Sequence, residues 1–145
     1  MQKGNPKKIQ GFDDLLTEGM RIVVTEGAGV YNTSGTGVWE DVAGRTGRLS
    51  DVRAFRKNIV AYAKGSGASF RAFQEMEADA WITWPNWPIT KADTLDIVAL
   101  STERTIWRDV NVALSPDADP EAQAFLEFLV SEDAARLMAT EGWVR

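Results

Sequence analysis

Two stretches of this chain set glycines and hydroxyls just ahead of a helical apolar pattern. The first is Asn32–Thr33–Ser34–Gly35–Thr36–Gly37 before Val38–Trp39, and the second is Gly65–Ser66–Gly67–Ala68–Ser69 before Phe70. Glycine lets a ligand come close to the backbone, and hydroxyls can donate. A helix that starts there presents unpaired N–H groups with partial positive charge, so an anion can be held without Lys or Arg. The plainer reading makes the glycines turns and the hydroxyls helix caps. One such junction alone favours turns and caps; two, each after a strand-like run, favour anion binding. The first stretch has no GxxxxGK[ST], so it is not a Walker loop, and it lacks a clean GxGxxG for a dinucleotide.

Other chemistries find little support. With no His and no Cys, the commonest near-neutral base, thiol nucleophiles, disulfides and thiolate metal sites are absent. Glu40 and Asp41 are neighbours on a helical pattern and point apart, which does not make an acid–base pair. Enzymatic turnover therefore ranks last, and no cofactor is expected. In Trp81–Ile82–Thr83–Trp84–Pro85–Asn86–Trp87–Pro88, alternation puts Trp81 and Thr83 on one face and Ile82 and Trp84 on the other. Trp81 is expected in the core, while Trp84, at the strand end, is either a ligand contact through its indole N–H or part of a surface aromatic cluster. Arg108 and Asp109 read as a structural ion pair or hinge contact before ligands.

The elements that must position these residues alternate. Strands are expected at 21–25, 58–63, 80–84, 95–100 and 109–114. Helices are expected at 11–16 with Asp13 as cap, at 38–43, from Ser50 with Val52, Phe55 and Ile59 on one face, and after Ser69 with Phe70, Phe73 and Met76 on one face. The closing stretch reads as amphipathic helices, with Phe125, Phe128, Leu129 and Val130 on one apolar face, then Leu137 and Met138 inward. The pattern predicts an α/β layer with a mostly parallel sheet flanked by helices, where ligands sit beyond the C-terminal strand ends.

At 145 residues the chain suits about one domain. Its net charge of −5 is concentrated in residues 117–145, which carry seven acidic against two basic side chains. A nucleic-acid surface needs a basic excess, so no nucleic-acid partner is expected. No apolar run approaches the ~20 residues of a membrane span, and the first residues lack the apolar run of a signal peptide.

The segments GNPKKI, GFDDLL, GMRIVVTEGAG, GTGVWEDVAGR, RKNIVAYAKGSG, ADAWITWPNW and TIWRDVNVALS together resemble the accessory colonization factor (AcfC) group. That group belongs with the class II periplasmic solute-binding proteins of the sulfate- and molybdate-binding type. The resemblance covers nearly the whole chain, with Val30–Ser34 standing as an insertion. It implies a two-lobed protein lacking its N-terminal lobe here, with residues 5–110 as the second lobe and 111–145 as the return strand and C-terminal helices of the first. It implies a small anionic ligand (sulfate, molybdate or phosphate, or a citrate- or phosphoglycerate-like metabolite) taken up through an ABC transporter membrane subunit or sensed. It implies a periplasmic location in the full-length form and a homodimer. The ligand contacts it implies are Ser34, Gly35, Thr36, Gly37, Gly67, Ala68, Ser69 and Trp84. A surface adhesin of the same fold, using Trp84, Trp87 and Trp107, is the alternative. Without a first lobe, Phe125, Phe128, Leu129, Leu137, Met138 and Trp143 are expected to pack on another subunit or fold back, each worth roughly 1.5–3 kcal/mol if buried.

Overall fold

The computed structural model of the chain describes residues 1–26 and 37–144. Its centre is strand β1 (Ile22–Thr25), flanked in parallel by β2 (Ile59–Ala63) and β3 (Ala80–Ile82) in the order β2-β1-β3. Ile22, Val23 and Val24 are fully buried, as a β-branched run covered on both faces should be. Ile22 and Val24 pack with Trp39, Val42, Ala43 and Phe55 on one face, while Val23 packs with Phe73, Ala78, Trp81 and Leu95 on the other. Helices α1 (Val38–Gly44) and α2 (Leu49–Lys57) cover the first face, and α3 (Ser66–Glu75) covers the second. The expected parallel, helix-flanked α/β sheet is what forms.

Several boundaries differ from the sequence pattern. Helix α3 begins at Ser66, so Gly67, Ala68 and Ser69 are its first turn and not the loop before it. The turn lies at Gly65, whose φ of 85° suits glycine. Ile59 belongs to β2, and Asn58 is the residue where α2 ends. Residues Asp13–Leu16 form one 3-10 turn without an Asp13 cap; the Asp14 carboxylate accepts instead from the Gln10 and Gly11 amides. Pro85 and Pro88 do not merely break the chain: Asn86–Thr90 is a short helix, α4, with both prolines at its start, where the missing N–H groups cost nothing.

The expected strands at 95–100 and 109–114 do not form. Leu95 makes one antiparallel bridge to Gln2, and the rest is irregular chain. β-branched composition is not enough for a strand, which needs a neighbour for its amides and carbonyls. No described strand lies beside these segments, and Ile97, Val110 and Val112 are exposed. Helices α5 (Pro120–Leu129) and α6 (Glu132–Thr140) form as expected, capped by Asp119 and Ser131. Their apolar side chains do not fold back: Phe125 is 60% and Leu137 61% exposed, and Ala134 is their one buried residue. Leu137 therefore does not point inward as the pattern suggested.

Buried polar groups lock the corners. Asn58 donates both amide protons, to the carbonyls of Leu15 and Thr17, each at 2.8 Å, fastening the 3-10 turn to the start of β2. Arg104, 2% exposed, reaches Asp51 at 2.5 Å and the Val42 carbonyl at 3.1 Å, with its guanidinium 3.9 Å from the Phe12 ring centre. Asn58→Ala leaves two carbonyls unpaired and is expected to lower stability by about 1–3 kcal/mol. A urea titration followed by circular dichroism, with unchanged slope and earlier midpoint, checks this.

Candidate functional site

Because all three strands are parallel, their C-terminal ends share one edge of the sheet. The connections to α1, α3 and α4 all leave from that edge, and glycines punctuate the first two. This is the place where open α/β sheets take ligands.

Strand alternation sends Thr25 to the α3 face, following Val23. There its hydroxyl lies 2.8 Å from the Ser69 hydroxyl. Ser69 donates its own proton to the Gly65 carbonyl at 2.9 Å, so Thr25 is the donor between the two hydroxyls. The Ser69 backbone N–H is also used, on Gly65 at 3.0 Å. Ser69 is fully buried and has no proton left for a guest; it ties the end of β1 to the first turn of α3. The N–H groups of Ser66, Gly67 and Ala68 have no carbonyl one turn back to bond, and they supply the donor capacity of this junction. Among the described residues, a Cβ added at Gly67 would meet nothing within 4 Å.

Gly37 is the N-cap of α1 in extended conformation, at the end of the β1 connection. Ser34, Gly35 and Thr36 lie outside the described residues. Trp84 follows β3 and is half-buried against the core cluster that holds Ile22 and Val24, together with Ile82, while Trp81 belongs to the opposite cluster. The alternation read from the sequence is thus correct here, and Trp81 is a core residue. Trp87 packs its ring on Phe70 and Trp81, with centroids 5.4 and 5.2 Å apart, which spends it on packing. Trp107 is 68% exposed.

The sequence pattern missed a cavity of about 630 Å³ along β3, one of the two edge strands of the described sheet. Its walls are Ala80–Asn86, residues 95–100 and 105–110, and the end of the chain at Gly142–Val144. Trp84 lines it; Gly37, Gly67, Ala68 and Ser69 do not. Segments so far apart in sequence leave no local signal of such a space. Arg108, also on its wall, pairs with Asp41, so the expected Arg108–Asp109 ion pair does not form.

Charge at the first junction is unusual. Glu40, in the first turn of α1, has one carboxylate oxygen buried with no hydrogen-bond partner. Burial raises its pKa, against a smaller opposing backbone hydrogen bond. A raised folded-state pKa stabilises the protonated form, so this contribution is present in acid and is lost as pH rises through the folded value. Glu40→Gln is expected to raise the melting temperature near pH 7 and to leave it unchanged near pH 4, where wild-type Glu40 is already protonated. Melting curves of both proteins from about pH 4 to about pH 7 check this.

The comparisons agree with this geometry. The model of the family described as bacterial extracellular solute-binding protein matches residues 1–144. A crystal structure of PEB3 with L-phospholactate bound has 44% sequence identity and a TM-score of 0.91, covering 99% of this chain and 62% of that one. A second PEB3 structure, from Campylobacter jejuni, has the same identity and coverage with a TM-score of 0.87. The chain thus spans less than two thirds of the length of these neighbours. Among curated proteins, none matches. A sheet whose strand ends share one open edge, a family match along nearly the full length and a close structural likeness converge: this chain belongs to the bacterial extracellular solute-binding protein family.

Proposed function

We propose that the chain serves in capturing a small anionic metabolite outside the cytoplasm. Its residues 5–110 would form one ligand-contacting lobe and 111–145 the return into the other. The carrying observation is the first turn of α3, whose leading amides have no partner within the helix and sit at the shared strand edge. The family match and the phospholactate held by a neighbour at 44% identity support a ligand of the phosphorylated-carboxylate class. Sulfate, molybdate, phosphate and citrate are the simpler anions to compare. Neutral amides suit such guests, since they stabilise negative charge without demanding a matching cation.

The exposed apolar positions support the two-lobed reading. Val112, Phe125 and Leu137 lie in the proposed return segment, and each is more than half exposed. In this reading the part of the neighbours that this chain does not span, or a second copy in a homodimer, covers them. Delivery to the membrane subunit of an ABC transporter, or to a sensor, is the role that follows for a periplasmic protein of this family. Of the three tryptophans the adhesin alternative uses, Trp107 is freely exposed, while Trp84 and Trp87 are engaged in packing.

Saturation-transfer NMR and calorimetric titration of the chain with L-phospholactate, phosphate, sulfate and citrate test the proposal. Binding of L-phospholactate, and none of a neutral sugar, is expected. A folded chain that shows no transfer from any of these anions overturns it. Gly67→Val, whose new side chain begins in open space, is expected to weaken L-phospholactate about tenfold, or 1.4 kcal/mol, with little change in melting temperature.

A further inference from the structure

The link from β2 to α3 is only Lys64 and Gly65, and the end of β1 fastens it on both sides. Before the link, the Ala63 carbonyl accepts from the Glu26 amide at 2.8 Å. After it, the Thr25 hydroxyl donates to the Ser69 hydroxyl at 2.8 Å. Ser69 in turn donates to the Gly65 carbonyl twice, at 2.9 Å from its hydroxyl and at 3.0 Å from its backbone N–H. Since Ser69 spends its own proton on Gly65, the relay runs one way, from Thr25 through Ser69 to Gly65.

Gly65 is the residue that needs such a hold. Its φ of 85° and ψ of 157° are nearly exclusive to glycine, and among the described residues no side chain caps the helix that starts after it. A residue with that much conformational freedom keeps one orientation only when its surroundings fix it, and the two bonds from Ser69 fix its carbonyl. Ser69 has no exposed surface, so water does not replace a partner it loses. The leading amides of α3 follow directly from the Gly65 peptide, so the carbonyl that Ser69 holds also sets where they aim. Donors aimed before a guest arrives bind it more tightly than donors that must be ordered by it.

We propose that Thr25 and Ser69 are positioning residues of the anion site: they act through Gly65, not by touching the ligand, and aim the first-turn amides of α3. The inference rests on the reading of the α3 junction given under the proposed function, and adds the side chains on which its affinity depends.

Calorimetric titration of the full chain with L-phospholactate, well below the melting temperature, tests this. Ser69→Ala removes both hydroxyl bonds and is expected to weaken binding about tenfold or more. Thr25→Val keeps the side-chain shape and removes one donated proton, for a loss of about fivefold, while Thr25→Ser keeps the proton and stays within about twofold of wild type. The double variant Thr25→Val/Ser69→Ala is expected to bind no more weakly than Ser69→Ala, because without the Ser69 oxygen Thr25 has nothing to hold. Asn58→Ala, destabilised at the other end of β2, is expected to bind as the wild type does. Wild-type affinity in Ser69→Ala or Thr25→Val, an equal loss in Thr25→Ser, additive losses in the double variant, or an equal loss in Asn58→Ala overturns the proposal and leaves the anion site standing. A folded wild type that binds no L-phospholactate overturns both. Should Ser69→Ala not fold, the Thr25 pair decides: a loss in Thr25→Val that Thr25→Ser restores supports the proposal, and equal affinities overturn it.

Discussion

Strand β1 is the constraint on which the rest of the molecule depends. Its four residues sit between two parallel neighbours and beneath helices on both faces, so each side chain has one permitted direction. A slip by one residue would send Val23 to the α1–α2 side and take Thr25 away from Ser69. The hydroxyl pair at the end of β1 therefore reports the register of the whole sheet. The same parallel arrangement gathers the three outgoing connections at one edge.

Much of this was legible in the residues. Ile22–Val23–Val24 is a β-branched run bounded by Gly19 and Gly27, and a strand buried on both faces needs that composition. The alternation through Trp81–Trp84 correctly separated Trp81 from Ile82 and Trp84, because period two survives in a strand only three residues long. The resemblance to the solute-binding family rested on the order of whole segments and proved correct. The residues 95–100 and 109–114 misled for a definite reason: strand propensity is local, but strand formation requires a partner that no window of sequence contains.

The site was legible only in part. Glycines and hydroxyls before Phe70 marked a strand-to-helix junction, yet the helix starts earlier than expected. That shift turns Ser69 from a candidate donor into an internal tie. Hydroxyl side chains near helix starts bond their own backbone as readily as a guest, and sequence alone does not separate the two. The cavity along β3 was invisible because its walls come from stretches of chain far apart in sequence. Arg104 and Arg108 look alike as residues; burial makes one a fixed cross-brace and leaves the other with donors to spare.

Gly142 sits at that cavity's rim with φ of 81°, and a Cβ there would lie 2.8 Å from Ile89 and 3.3 Å from Pro85 of the α4 region. The end of α6 is thereby seated on α4 backbone-close, with no side chain as spacer. A side chain at that position would have to adopt a left-handed backbone conformation and push the Ile89 methyl aside, so glycine is what lets the chain end lie this close to α4.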